Sequence, residues 1–543
     1  MPKITVDGRE LEVAAGRTLL QALDDAGLLM NGVDVPHYCW HPKLSIDGSC
    51  RLCQVEIEGQ PKLQIACNTI VADGMVVHTT TPRVQTAREG VMELLLVNHP
   101  LDCPICDQAG ECKLQDYAFE YGVTESRTRE PRRALKKRVD LGPTIVFDQE
   151  RCILCRRCVR FCREIPGSGE LTVQNRGDRS VIETFPGEAL DNPYSMNVAD
   201  ICPVGALTTK DFRFKIRVWF LEDVPGICTG CARGCNIHLG VANNKVYRYV
   251  PRRNDAVNET WICDAGRMSY QRIGAPDRLE QPLVRGALPV LEVASGEAAI
   301  AAAAAKLSQT LARHGAGSIA GLASPHATNE DLFQLRRVLG GLGAGLAGVA
   351  VVRGESDAIL VHAEKAANAA GARALGYPDA APLVEAIRAG RVKGLIALGH
   401  DVLDAAQLDA AAAFAGLEAL VVLDSHRSEL ERAAHVLLPA RVAAEKRGTL
   451  VNCDGRVQRV VPAVEPAFDA RDEGEWLQQL GARLGLAGFS DAAGYDARAV
   501  SRELAKSVAA FVGCDYDAVG LAGKPLADAA PAQAGVPAPG ARA

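Results

Sequence analysis

Residues 152–165 read CILCRRCVRFCREI, and residues 201–208 read ICPVGALT. The first stretch sets Cys152, Cys155 and Cys158 at C-x2-C-x2-C spacing, and the second supplies a distant Cys202 followed by Pro203. Thiolates this close repel one another, so they converge only around a positive centre. Iron–sulfur cores are the usual occupants, and this run with its closing Cys-Pro is a [4Fe–4S] pattern. Cys162 follows Cys158 at C-x3-C spacing but lacks a proline after it. A second C-x2-C-x2-C run that would recruit it is missing, so it reads as a buried free thiol on the helix after Cys158.

Three more groups surround this one, and sixteen of the eighteen cysteines lie before residue 264. Cys39, Cys50, Cys53 and Cys67 read C-x10-C-x2-C-x13-C, a four-thiolate set suited to [2Fe–2S], although the spacing differs from the plant-type C-x4-C-x2-C. Gly32, Gly48 and Ser49 lie where backbone amides could donate to those sulfurs. Cys103, Cys106 and Cys112 form an incomplete set, and His99 upstream completes H-x3-C-x2-C-x5-C. A neutral imidazole in place of a thiolate raises a cluster's potential. Cys228, Cys231, Cys235 and Cys263 read C-x2-C-x3-C-x27-C. Structural zinc is the rival occupant, because four cysteines, or three with one histidine, also suit zinc.

Length and composition frame these groups. A chain of 543 residues exceeds one core and implies several domains. A net charge of −6 gives no reason to expect nucleic acid or an anionic membrane surface as partner. No apolar run reaches membrane-spanning length, and MPKITVDGRELEV at the start is not a secretory signal. In a reducing compartment such cysteines point to metal rather than disulfides.

Residues 3–6 and 10–13 read as two strands around Asp7-Gly8, and Thr18–Ala26 as a helix stopped by Gly27. Val84, Ala87, Val91, Leu94 and Leu95 mark another helix, ending before His99. Residues 124–138 (TESRTREPRRALKKR) read as a solvated linker. Beyond residue 290, Ser318–Leu322, Ala358–Val361, Gly394–Leu398 and Leu420–Leu423 read as buried strands. Helices over Asn329–Leu339 and Pro382–Ala389 alternate with them, which suggests a mainly parallel sheet. Residues 523–543 read as disordered.

The phrases HYCWHPKLSIDGSCRLCQVEI (37–57), NHPLDCPICDQAGECKLQD (98–116), the two stretches quoted first, CDAGRMSYQRIGAPDRLEQPLVR (263–285) and GTLVNCDGRVQRV (448–460) together resemble one family. It is that of the large iron–sulfur peripheral-arm subunits of NADH-quinone oxidoreductase, the bacterial respiratory complex I. Residues 228–285 also resemble the cluster segment of molybdopterin oxidoreductases. The resemblance is dense over the first 285 residues and patchy beyond. It implies a multidomain α+β and α/β chain. The order would be a β-grasp [2Fe–2S] ferredoxin domain (1–80), a one-His/three-Cys [4Fe–4S] domain (81–122), a bacterial-ferredoxin-like [4Fe–4S] domain (140–216), a molybdopterin-type [4Fe–4S] segment (217–275), and a degenerate molybdopterin-oxidoreductase-like α/β domain (276–522).

The resemblance further implies one [2Fe–2S] cluster on the first group and three [4Fe–4S] clusters on the others, with His99 a ligand and Cys162 not. Electrons would arrive from a flavin-bearing NADH subunit and leave to an iron–sulfur subunit nearer the quinone. The chain would act as a peripheral subunit on the cytoplasmic side of the bacterial inner membrane, with no NADH or quinone site of its own. The fourth cluster would lie off the main path, in a structural role.

Molybdenum is not expected. No cysteine lies between Cys263 and Cys453, and Ala265 stands where the molybdenum enzymes carry a lysine. Cys453, in a strand-like VNCDGRV segment, and Cys514 read as packed thiols. Gly343, Gly345 and Gly348 satisfy G-x-G-x-x-G but follow a helix, so they read as a flexible loop rather than a dinucleotide site. The rival functions are the cluster-bearing subunit of an NAD-linked formate dehydrogenase or hydrogenase, and a zinc-bound scaffold.

Overall fold

The computed structural model describes residues 1–29, 31–286, 290–466, 468–490 and 494–527. It divides into two compact units, residues 1–221 and 222–536.

In the first unit, Lys3–Val6 pairs antiparallel with Arg9–Glu12 across Asp7-Gly8, where both residues take positive φ. Lys3–Val6 also runs parallel to Val76–His78, which continues through Gln54–Ile57 to Gln64–Ile65. Helix Leu19–Asp25 starts at a capping box between Thr18 and Gln21. It buries Leu19, Leu20 and Leu23 on Ile4, Val6, Val55, Ile57 and Val77, giving a β-grasp core. The helix Pro82–Leu96 begins with Thr81 as cap and Pro82 at its first position. Its buried face is Val84, Arg88 and Met92, not the Val91–Leu94 side that apolar spacing suggests, and Leu94 is exposed. Arg88 takes the place of an apolar residue because its guanidinium donates to the Tyr121 hydroxyl at 3.1 Å and the Gln54 carbonyl at 3.3 Å. That holds the helix Lys113–Tyr121 to the sheet.

Residues 124–138 have no regular structure up to Arg138, but they are not a free linker. Arg127 pairs with Glu93, Lys137 with Asp102 and Glu150, and the Arg133 amide donates to Asn98. Beyond them, Val139–Asp140, Ile145–Phe147 and Leu207–Thr209 form a small antiparallel sheet. Helix Arg157–Glu164 and the hairpin Leu171–Gln174/Val181–Thr184 complete the unit.

The second unit opens with an antiparallel sheet of Glu222–Ile227, Asn236–Ala242 and Lys245–Pro251. Its centre is a seven-stranded sheet. Val436–Pro439, Ala419–Asp424, Gly394–Leu398, Ile319–Ala323 and Leu346–Val349 lie side by side and parallel, and Leu283–Arg285 with Leu291–Val293 adds an antiparallel edge. The strands are apolar throughout because both faces are covered. Ile396, Leu398, Val421 and Leu423 enter one core, while Leu395, Ala397, Leu420 and Val422 enter the other.

Several expectations fail here. Ala358–Val361 is not a strand: the Asp357 carboxylate accepts from the Ile359, Leu360 and Val361 amides and curls the backbone into a turn. Two strands, Leu346–Val349 and Val436–Pro439, are additional to those expected. Gly348 therefore sits in a strand rather than a loop. A Cβ there would lie 2.8 Å from the Ala380 Cα, so its absence lets a helix approach the sheet edge. Cys453 lies in the turn between Gly448–Val451 and Arg456–Val460, half-buried rather than packed in a strand. Cys514 is buried and its thiol meets the Pro525 carbonyl at 3.4 Å. Lys524–Pro525 pairs with Arg456 and Val457, so the start of the expected tail is ordered, and residues 528–543 lie outside the described ones. No helix among the described residues is long and apolar enough to cross a membrane.

Candidate metal centres

Cys39, Cys50, Cys53 and Cys67 gather in the loops that flank Gln54–Ile57. Their thiols lie within interaction range of one another, Cys39 with Cys50 and Cys67, and Cys53 with Cys67. This mutual contact draws Cys39 and Cys53 below the ordinary thiol range and drives Cys50 and Cys67 up. The Cys50 and Ser49 amides also donate to Cys39. Four thiols in mutual contact cannot all ionise without a cation among them, so the set suits a metal core.

Cys152, Cys155, Cys158 and Cys202 all line one small void of about 20 Å³. Leu154 and Arg156 take left-handed φ of 53° and 57°, which turns the short loop around that void. The Leu154 amide donates to the Cys152 sulfur at 3.4 Å. Burial pushes all four thiols up, Cys202 to about 12. Bare, these are neutral thiols, and a positive core is what makes thiolates stable there. Cys162 is fully buried on the adjoining helix and does not line the void.

Cys103 is exposed, whereas Cys106 and Cys112 are buried and raised by desolvation. His99 follows the helix Pro82–Leu96. Burial, reinforced by Arg151, lowers His99 to about 4, so its ring is neutral at pH 7, the form that binds metal. Arg151 is itself buried, 3.0 Å from Asp102 and 3.3 Å from Asp148.

Cys228 and Cys235 close a loop between two strands, with the Cys228 amide donating to the Cys235 carbonyl at 2.8 Å. Cys231 lies between them, and Cys263 caps the helix Asp264–Met268, its sulfur accepting from the Gly266 amide at 3.3 Å. A Cβ on Gly266 would lie 3.1 Å from both the Cys228 and Cys263 sulfurs. Burial raises Cys228 to about 12. The Cys453 amide donates to the Ala232 carbonyl inside this loop.

The first three groups are joined by direct contacts. The Arg160 guanidinium donates to the Cys39 and Cys155 carbonyls, so one side chain touches the first and third groups. Arg157 links the Trp40 and Ile201 carbonyls in parallel. The Cys202–Gly205 stretch then reaches the second group. The Lys113 amide donates to the Pro203 carbonyl at 3.1 Å, and the Cys112 sulfur lies 3.9 Å from that oxygen. A Cβ on Gly205 would sit 2.2 Å from the Cys106 sulfur. Sequence reasoning passes over these arginines, although Arg156, Arg157 and Arg160 stand inside the decisive motif. Among the described residues, no three His, Cys, Asp or Glu side chains are placed to hold a single metal ion.

Five family models match in order. They are a 2Fe-2S iron-sulfur cluster binding domain (residues 2–82), the NADH-ubiquinone oxidoreductase-G iron-sulfur binding region (88–127), the NADH-quinone oxidoreductase subunit 3 ferredoxin-like domain (142–208), the molybdopterin oxidoreductase Fe4S4 domain (221–274) and molybdopterin oxidoreductase (344–483). The G subunit of NADH-quinone oxidoreductase from Rickettsia bellii is 46% identical over 285 residues, 52% of this chain and 41% of its own length. The G subunit from Streptomyces coelicolor is 40% identical over 314 residues, 58% of this chain and 37% of its own. The alpha subunit of NADPH-Fe(3+) oxidoreductase from Geobacter sulfurreducens is 39% identical over 339 residues, 62% and 39% of the two chains. The chain thus spans about half or less of the length of the curated relatives it matches. Among solved structures, a chain of NAD+-reducing [NiFe]-hydrogenase aligns over 40% of this chain and 91% of itself at 28% identity, with a TM-score of 0.35. With [2Fe–2S]- and [4Fe–4S]-binding domains in this order, the chain is similar over about its first 300 residues to G subunits of NADH-quinone oxidoreductase.

Proposed function

We propose that this chain relays single electrons as a subunit of an NADH:quinone oxidoreductase. Cys39, Cys50, Cys53 and Cys67 hold one [2Fe–2S] cluster. His99, Cys103, Cys106 and Cys112, then Cys152, Cys155, Cys158 and Cys202, then Cys228, Cys231, Cys235 and Cys263 hold three [4Fe–4S] clusters. When bound, the clusters take up and release electrons, and the protein sets their spacing, potential and shielding from water. Tunnelling falls exponentially with distance, so a relay needs its centres close together. The observation that supports this reading is the chain of contacts from Cys39 through Arg160 to Cys155, and from Pro203 and Gly205 to Cys112 and Cys106.

Electrons enter from a flavin-bearing NADH subunit and leave to an iron–sulfur subunit nearer the quinone, on the cytoplasmic face of the membrane. NADH and quinone bind elsewhere. Molybdenum has no part. The crevice of the molybdopterin-like sheet holds a cavity of about 310 Å³, near the lower end of the range for small-ligand pockets. Its carboxylates Asp401 and Asp424 are engaged by His326 and His400. The domain limits 1–80, 81–122, 140–216, 217–275 and 276–522 follow the same reading.

Iron and acid-labile sulfide analysis of the purified native chain tests it, with low-temperature spin resonance of the reduced protein. One [2Fe–2S] and three [4Fe–4S] clusters give about 14 irons per chain. Mutual broadening between the first and third centres is expected. Zinc in place of iron, tightly bound molybdenum, or magnetically isolated centres would sink the proposal.

A further inference from the structure

Numbered along the chain, the five parallel strands of the second unit lie in the order 5-4-3-1-2. The chain winds one way from strand 1 to strand 2, then crosses back to lay strand 3 on the other side of strand 1. At such a reversal the connections leave in opposite directions and open a crevice at the carboxyl ends of the strands, where doubly wound sheets bind ligands. The cavity of about 310 Å³ lies here. Ser324 and His326 follow strand 1, Gly399 and His400 follow strand 3, and Asp424 ends strand 4. Thr229, Ser269 and Arg272 also line it.

Two imidazoles give this cavity its chemistry. His400 Nδ1 lies 2.6 Å from the Asp424 carboxylate, which raises the ring to about 9. His326 Nε2 lies 3.3 Å from Asp401, whose other oxygen accepts from the Ser324 hydroxyl at 2.8 Å. Burial opposes charge on His326, but Asp401 outweighs it and the pKa rises. The second nitrogen of each ring, His400 Nε2 and His326 Nδ1, has no protein partner among the described residues. Both rings are partly exposed, so the cationic His400 ring offers an unused N–H and the His326 ring an unused nitrogen. Each carboxylate faces its own ring; Asp401 also accepts from Ser324, and Asp424 from the His426 amide at 3.3 Å. The Thr229 hydroxyl and the Arg272 guanidinium, itself 3.0 Å from Asp277, add donors. A tetrahedral dianion can use donors contributed by several elements, whereas a planar carboxylate uses those near one plane.

We propose that this cavity binds the phosphoryl group of a small metabolite no larger than a nucleoside monophosphate, with His326 and His400 as the principal donors. Nothing in the electron relay requires it, so the two readings stand or fall separately.

The test is calorimetric titration of the full, cluster-loaded chain with inorganic phosphate and, separately, with adenosine monophosphate. Saturable binding of at least one is expected, and whichever binds more tightly tells free phosphate from an ester. His326→Gln and His400→Gln should each weaken binding at least tenfold, with iron content and the spin-resonance signal of the fourth cluster unchanged. Three results overturn the proposal: no saturation of the unmodified chain by either probe at millimolar concentration, affinity unaltered in the double variant, or acetate bound as tightly as phosphate. Because the first and third use the unmodified chain, the proposal remains falsifiable even if a variant misfolds.

Discussion

Gly205→Ala puts the contiguity of the second and third cysteine groups to a direct test. The added Cβ would stand 2.2 Å from the Cys106 sulfur and 3.0 Å from the Gln108 Cβ, whereas ordinary contact begins at 3.4 Å. One atom or the other must therefore retreat by about 1.2 Å, several times the ~0.2 Å latitude of a metal–ligand distance. The Gly205 backbone cannot readily yield. The Pro203 carbonyl is bonded to the Lys113 amide and the Ala206 carbonyl to the Asp148 amide at 2.8 Å. The Cys106 sulfur should move, and the centre it helps hold should be lost. The general cost of overpacking, about 1–3 kcal/mol, is below the roughly 5–15 kcal/mol that ordinarily holds a domain folded. Iron analysis should show about four irons fewer, the content of one [4Fe–4S] cluster. Spin resonance should lose the signal of the histidine-ligated centre and keep that of the [2Fe–2S] cluster. Gly90→Ala, where a Cβ meets nothing within 4 Å, is the matched control and should keep its full iron. A Gly205→Ala chain with undiminished iron and an unchanged spectrum would refute the contact and the packing argument with it.

Further outcomes follow from other residues. His99→Cys should retain its cluster and lower that centre's potential, since a thiolate adds negative charge where a neutral ring stood; redox titration showing no shift would remove His99 from the ligand set. Lys446 is buried 3.0 Å from Asp331 and 2.6 Å from Glu473, so Lys446→Met strands a buried charge and should cost the second unit about 3–5 kcal/mol by calorimetry, with a loss under about 1 kcal/mol contradicting the pairing. His400 has its pKa raised from 6.5 to about 9 by Asp424, so its contribution to stability is complete below about pH 6.5 and disappears as pH rises through about 9. The Tm gap between the wild type and His400→Gln should close over that window, and a gap that widens with pH would reverse the assignment.

The parts of this chain most legible in its sequence are those governed by short-range chemistry. Cys152 to Cys158 must bend back on themselves, and Leu154 and Arg156 do so with left-handed φ. Strands such as Gly394–Leu398 announce themselves because both faces are covered, which leaves no room for a polar residue. What the sequence hides is long-range. Arg88 looks like a surface residue until Tyr121 and the Gln54 carbonyl are seen around it. Ala358–Val361 has a strand's composition, but Asp357 captures its amides first. Gly348 completes a nucleotide-like motif, yet its purpose is steric. The Arg160 bridge joins residues 121 apart in sequence, which no local pattern can signal.

The stretch from Cys202 to Gly205 supplies a thiol to the third cysteine group and sets its backbone against the second. Biogenesis inherits an order from that double membership. The pocket around Cys106 and Cys112 is unfinished until this segment has docked, so delivery of iron to the third group should precede, or accompany, a stable second one. A lesion at Cys202 would then cost the maturing chain two centres rather than one, and a partly loaded intermediate should be richest in the ferredoxin-type core.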